Sequence, residues 1–326
     1  MVPGPLADRW RSTANSFRYG LAVARTVVDG RLTPHLVRSD PNRFQPPWPP
    51  EGGPPATMPG LRSQPCTFAQ MSSPTFAQIA ADLGEAPQLH RKLWEYCFVV
   101  QALHEGAVIG PGKRGLGFGV GREPIASYLA ARGCHILATD LDAGEAAERG
   151  WVDTGQHSNE LDTLNERGLC PPEEFARLVS FRPLDMRAIP EDLDGGFDFT
   201  WSSCAFEHLG SIRAGLDFIR DQMRCLRPGG LAVHTTELNL TSNHLTIHSG
   251  PTVLFRRRDV EALARDLRRS GHHLELCFDL GDCPPDAYVD EPPYGGDSHL
   301  RLRLGAFTTT SFGLIIRAGA TATDRH

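Results

Sequence analysis

Between Lys113 and Asp140 the chain reads KRGLGFGVGREPIASYLAARGCHILATD, and no other stretch restricts the fold so tightly. Gly115, Gly117, Gly119 and Gly121 alternate with Leu116, Phe118 and Val120. Glycine at this density lets the backbone turn sharply and lets a ligand approach it. Proline is well tolerated in a first helical turn, so a helix is predicted to start near 122–124. Ile125, Leu129 and Ala130 share one face of that helix. Residues 136–139 then read as a buried parallel strand. Asp140 stands at its carboxyl end, where an open α/β sheet binds the ribose of a nucleotide.

The rest of the chain repeats strand and helix. Helices are predicted over 86–104, 143–149, from 158, over 171–178, 212–226 and 258–270. Strands are predicted over 179–184, 197–201, 231–235, 273–279 and 309–317. On the 86–104 helix, Leu89, Leu93, Tyr96, Val100 and Leu103 form the apolar stripe, and His90, Arg91, Lys92 and Glu95 lie largely off it. Trp94 reads as a core residue before a ligand cap. This alternation defines a doubly wound α/β fold with a mostly parallel seven-stranded sheet. No helix separates the last two predicted strands, so they are expected as a terminal pair, one of them antiparallel. Residues 238–255 and 281–306 read as irregular insertions.

Upstream, residues 41–65 hold nine prolines, a density that excludes regular helix and central strand. A helix is predicted over 17–28. We expect residues 1–70 to form an N-terminal arm with a Pro-rich linker, and residues 71–326 to form the main domain.

Composition narrows the function. The net charge of −6 argues against a general nucleic-acid binder. No apolar run reaches the roughly 20 residues that span a membrane, and the first residues lack the apolar core of a secretory signal. A cytoplasmic protein is the expectation. The eight cysteines include no CxxC pair, and several lie in apolar runs where free cysteine acts as a small hydrophobe.

The glycine spacing discriminates between cofactors. A dinucleotide turn needs G-x-G-x-x-G, but here Gly117, Gly119 and Gly121 give G-x-G-x-G. The Gly-Lys-Ser/Thr of a phosphate loop is missing. Later segments add to this: Asp185–Met186 after the third strand, FDFTWSSCAFEHLGS at the fourth, and LRPGGLAVHTTE at the turn and fifth strand.

Together these motifs resemble the class I S-adenosylmethionine-dependent methyltransferases, over about residues 86–318. The resemblance implies S-adenosyl-L-methionine as cofactor. It places the cofactor's methionine part against Gly115, Gly117, Phe118, Gly119 and Gly121, its ribose on Asp140 and Leu141, and its adenine on Asp185 and Met186. Ser202 and Ser203, in the fourth motif, complete that set. One position departs from the pattern. The family carries an acid two residues before the first glycine of GxGxG, and this chain has Gly115. Either backbone and water replace it, or Glu123 or the 91–95 segment contributes.

Methyl transfer from a sulfonium is catalysis by positioning, with a general base for a hydroxyl acceptor. His208, His157 and Glu237 are the candidate bases. Asn239, His244 and Tyr294 are the candidate acceptor-site residues. His208, His234 and Glu237 also offer metal-ligand atoms, but no HxxxH or HExxH helix supports them, so no metal is expected. The reading is O-methylation of a sugar or secondary-metabolite hydroxyl. The partner is a small-molecule acceptor, with no nucleic acid and no membrane; a homo-oligomer is compatible with it. Aminocarboxypropyl transfer, cyclisation of the cofactor, and a non-catalytic binding protein of the same fold are the rival readings.

Overall fold

The computed structural model describes residue 48, residues 55–141 and residues 161–319. The predicted helices over 17–28 and 143–149, and His157, lie outside the described residues.

Elements are numbered in chain order among those residues. The order is β1 (Gln64–Pro65), α1 (Phe68–Met71), α2 (Pro74–Asp82), α3 (Arg91–Glu105), β2 (Arg114–Phe118), α4 (Ile125–Ala130) and β3 (His135–Asp140). Next come α5 (Pro172–Leu178), β4 (Val179–Pro183), β5 (Phe197–Ser203), α6 (Ile212–Gln222) and β6 (Leu226–Asn239). The chain ends with α7 (Arg257–Arg269), α8 (Pro284–Ala287), β7 (Arg301–Leu304) and β8 (Phe307–Arg317).

The sheet runs in the order β1-β8-β6-β5-β2-β3-β4. β2 pairs in parallel with β3 and β5, β3 with β4, and β5 with β6; β8 is antiparallel to β6. β7 pairs with the start of β8 and β1 with its middle, so the two lie end to end along one edge. The sheet thus has seven columns, as expected. Its edge differs from expectation. Residues 273–279 form no strand: Ser63 takes their place beside β8 and bonds to Glu275 and Cys277, at 2.9 and 2.8 Å. Proline lacks a backbone donor and is tolerated at a sheet edge, which is where Pro65 sits. The sheet therefore takes up residues N-terminal to position 70.

Other boundaries shift. The helix predicted over 86–104 starts at Arg91, because the His90 side chain caps it, accepting from the Lys92 amide at 3.1 Å. The 212–226 helix ends at Gln222 and tightens into a 3₁₀ turn over Met223–Cys225. The fifth strand extends from 231–235 to Leu226–Asn239, and the 281–306 loop contains α8 and β7.

Each face of the sheet buries its own apolar cluster. Phe199, Trp201 and Val233 meet α2, α3 and α4 on one side. Leu116, Phe118 and Ala232 meet α6 and α7 on the other. α3 approaches β8 so closely that a Cβ at Gly313 would lie 2.2 Å from the Phe98 ring. Trp94 is fully buried and donates its indole N–H to Gln70 at 2.6 Å. No helix among the described residues is long and apolar enough to cross a membrane.

Candidate active site

β2 ends in a turn built almost wholly from backbone. Gly119 and Gly121 adopt φ of +58° and +51°, which L side chains resist. A Cβ at Gly119 would lie 2.9 Å from the Ala205 Cβ and 3.4 Å from the Met186 sulfur. Glycine is therefore what lets the segments after β4 and β5 close on the turn. The Thr139 hydroxyl bonds to the Gly117 carbonyl at 2.7 Å, and the Val120 amide to the Thr139 carbonyl at 3.1 Å. Asp140 receives the Gly121 amide on one carboxylate oxygen at 3.1 Å and the Leu141 amide on the other at 2.8 Å. The result is a backbone-lined cradle with an acid fixed beside it, a donor set that suits a nucleoside with vicinal hydroxyls. Asp185 is engaged by its neighbour Arg187, through Nε at 3.0 Å to each oxygen, and Met186 behind it is buried.

Three expected site residues are turned away. Gly115 lies inside β2, where a Cβ would lie 2.3 Å from the Phe199 ring; that ring occupies the room a side chain would need. Ser202 faces α6: its hydroxyl pairs with His234 Nδ1 at 2.8 Å, and Phe206 and Phe218 flank that ring. Strand alternation sends Ser203 to the opposite face. Asn239 is spent on its own loop. Its amide donates to Leu245 O and Thr246 Oγ1, and its carbonyl accepts from the Thr241 and Ser242 amides. It therefore fixes the loop and presents nothing to an acceptor.

On the α3 side, the ends of β5, β6 and β8 enclose charged groups. Glu95 is fully buried. It accepts from Lys92 Nζ at 2.7 Å, Ser311 Oγ at 2.5 Å and Ser203 Oγ at 3.4 Å, with Arg91 at 3.5 Å. Burial opposes its charge, but Lys92 and Arg91 outweigh it and hold the carboxyl down at about 2. Arg91 also pairs with Glu237, whose other oxygen accepts from Thr309 at 2.8 Å. Glu207, just past β5, is pushed up to about 8 by burial and by the neighbouring Glu237 charge. Glu123, in the turn after β2, is raised to about 8 by burial and receives the Trp201 indole N–H at 2.6 Å.

His208 is partly buried, and its Nδ1 bonds to the Pro251 carbonyl at 2.8 Å. That bond assigns the proton to Nδ1 and the lone pair to Nε2, 3.9 Å from Glu207 Oε1. Burial lowers its pKa to about 4, so the ring is neutral at ordinary pH. His234, on the far face, is lowered to about 3 by burial alone. Tyr294 is held through its hydroxyl by the Arg303 carbonyl at 2.7 Å, and burial raises its pKa to about 12. Its ring meets that of His299, which stacks on His90 at 4.4 Å. His244 is exposed in the 238–255 insertion.

His208, Glu237 and Ser203 thus gather with Arg91, Lys92 and Glu95. Cys204, Thr309 and Ser311 join them, and sequence reasoning missed all three. A usable signal was the Arg91-x-x-x-Glu95 spacing, which marks a helical ion pair. Cys204 carried no such signal.

A family model described as a methyltransferase domain matches residues 116–234. No curated protein sequence matches the chain. Solved structures share its outline at low identity. The (4+2)-cyclase SpnF aligns at 15% identity over 76% of this chain and 94% of its own, with a TM-score of 0.45. A SAM-dependent methyltransferase from Methanosarcina mazei aligns at 12% identity over 67% of this chain and 97% of its own, with a TM-score of 0.42. Phosphoethanolamine N-methyltransferase 2 of Haemonchus contortus, in complex with phosphomonomethylethanolamine and S-adenosylhomocysteine, aligns at 19% identity over 51% of this chain, with a TM-score of 0.36. The aligned part spans 36% of that enzyme's length. Residues 116–234 thus carry an S-adenosylmethionine-dependent methyltransferase domain.

Proposed function

We propose that the protein methylates a hydroxyl oxygen of a small molecule, a sugar or a secondary metabolite, with His208 as the proton acceptor. The observation that carries this reading is the bond from His208 Nδ1 to the Pro251 carbonyl. It holds a neutral imidazole with its Nε2 lone pair turned to the charged strand ends, the orientation a general base needs. Glu237 is tied to Arg91 and Thr309, so its part is to fix charge and position. Tyr294 and His299 wall the acceptor side.

For the cofactor, the turn 117–121 cradles the chain of the methionine part and Asp140 receives the ribose hydroxyls. Met186 packs the adenine. Glu95, bonded to Ser203, supplies negative charge on the side where Gly115 has none. Bound S-adenosylmethionine supplies an activated methyl group. The residues of the chain align the acceptor with it, exclude water and take up the proton at His208 Nε2.

The test is a panel of hydroxyl and amine acceptors with S-adenosylmethionine, followed by mass spectrometry of the products. S-adenosylhomocysteine and an O-methylated product are expected. His208→Ala is expected to lower kcat by about 10²–10⁴ and leave cofactor affinity unchanged. Methylthioadenosine as product, or methylation of amines only, overturns the reading.

A further inference from the structure

Three groups that can hold a cation meet where β5 and β6 end. Cys204, Glu207 and Glu237 each bring one ligand atom, all within 4.8 Å of one another. Glu207 is 1% exposed. Its Oε2 accepts from Thr236 Oγ1 at 3.1 Å, while its Oε1 is buried with no hydrogen-bond partner. Leaving a buried acceptor unpaired costs on the order of 1–3 kcal/mol, so this oxygen points to an occupant. Cys204 adds a second anomaly. Its φ is +47°, a left-handed conformation that disfavours a side chain. Its amide is pinned to both the carbonyl and the hydroxyl of Thr235, at 3.1 and 3.0 Å, which holds the strained residue in place.

Charge agrees. Glu95, Glu207 and Glu237 face Arg91 and Lys92. A metal ion displaces the protons of its ligands, so a divalent cation in place of the Cys204 and Glu207 protons leaves the net charge of the cluster unchanged. Arg91 occupies one oxygen of Glu237 and Thr309 the other. Each carboxylate oxygen carries two lone pairs, so both bonds are compatible with a metal ligand.

We infer that Cys204, Glu207 and Glu237 form a binding site for one divalent metal ion. A sulfur donor with two carboxylates suits zinc, which accepts S, N and O ligands, better than magnesium or calcium, which prefer oxygen alone. Three protein ligands leave a tetrahedral position open, as in catalytic zinc sites. The ion explains the orphaned Oε1 and gives Cys204 a reason to sit where it does. Whether the open position takes an acceptor hydroxyl rests on the proposed O-methylation; the site itself does not.

The test uses the full chain, stripped with a chelator and titrated with Co²⁺ and then Zn²⁺. One equivalent of Co²⁺ is expected to bind with a thiolate-to-metal charge-transfer band and tetrahedral visible bands, and Zn²⁺ is expected to displace it. Cys204→Ser is expected to abolish the charge-transfer band. Cys204→Ser and Glu207→Gln are each expected to weaken Zn²⁺ binding by at least about tenfold, whereas Cys283→Ser leaves it unchanged. X-ray absorption of the zinc-loaded wild type serves if either variant fails to fold; one sulfur with oxygen neighbours is expected. No saturable binding, a charge-transfer band that survives in Cys204→Ser, or a sulfur-free shell overturns the site. Metal binding without turnover on any acceptor would sink the proposed reaction and leave the site standing.

Discussion

The glycine turn and the charged cluster occupy the same end of one sheet, but they are assembled differently. The turn is local: Gly121 bonds to an acid 19 positions away, and its contacts are mostly backbone. The cluster is non-local: Glu95 bonds to Ser311 across 216 positions, and nearly every contact is between side chains. A backbone cradle tolerates replacement of its neighbours as long as its glycines stay. A buried charge cluster has no such slack, because each member is paid for by the others. Removing one residue from each region should therefore give opposite signatures, lost binding in one and lost stability in the other.

The largest effect is expected at Glu95. Glu95→Ala leaves Arg91 and Lys92 without their shared buried partner, and breaking such a pair costs about 3–5 kcal/mol. Denaturant unfolding at neutral pH measures it. The pH dependence follows from the sign of the shift. The folded carboxyl titrates at about 2 against an ordinary 4.5, so the wild type holds this stabilisation above 4.5 and loses it as pH falls toward 2. Glu95→Ala should lack that acid-induced loss. A variant as stable as wild type would mean that the cluster is held by its backbone, as the turn is.

Glu123 sharpens the comparison, because it lies in the turn segment but is buried like the cluster. Its folded pKa, about 8, stands above the ordinary 4.5. The native state then binds the extra proton, so wild-type stability falls as pH rises from 4.5 through 8. Glu123→Gln still accepts from the Trp201 indole and has no proton to lose. The two proteins should be equally stable below pH 4.5, and the variant should gain a few kcal/mol above pH 8, at about 1.4 kcal/mol per pKa unit. Thermal melts across that range decide it; parallel curves would show that Glu123 is ionised in the fold.

Asp140→Ala comes next. The carboxylate anchors the Gly121 and Leu141 amides at the surface of the turn, so the fold should persist while affinity for S-adenosylmethionine drops. Hydrogen bonds to a charged group contribute about 1.5–3 kcal/mol, roughly a tenfold to hundredfold change in Kd by titration calorimetry. Unchanged affinity would remove Asp140 from the proposed cofactor site.

The same contrast explains what the sequence disclosed. The Gly117, Gly119, Gly121 and Asp140 pattern is local, so its spacing, joined to the motifs on the third to fifth strands, led through a family resemblance to the fold and cofactor. Residues 273–279 have a strand's composition, but their edge position was taken by Ser63, Gln64 and Pro65, a pairing that spans more than 200 positions. Arg91, Lys92 and Glu95 lie off the apolar stripe of α3, and the sequence named their segment only as a candidate stand-in for the missing acid. Glu95 is buried, and Arg91 and Lys92 partly so, because their face of α3 meets the polar strand ends of β5, β6 and β8. Cys204 stood out in no way among the eight cysteines, since no periodicity reports a left-handed φ. Gly115 was assigned to the cofactor by motif position, but the Phe199 ring fills the space above it.

Ser202 and Ser203 offer the smallest and cleanest separation, being adjacent residues on opposite faces of β5. The Ser202 hydroxyl is the partner of His234 Nδ1, and His234 Nε2 is already buried without one. Ser202→Ala would leave both ring nitrogens unpaired among aromatic neighbours, at a cost of about 1–2 kcal/mol, and cofactor affinity should not move. Ser203→Ala removes one of the four partners of Glu95, and at 3.4 Å that bond is a long one between a neutral donor and a carboxylate. Its stability cost should stay within about 0.5 kcal/mol, while the Kd for S-adenosylmethionine should rise by a few fold. Paired denaturation and calorimetry on the two variants read both quantities. If Ser202→Ala weakened the cofactor more than Ser203→Ala did, the face assigned to the site would be wrong, because alternation along β5 allows only one of the two hydroxyls to reach it.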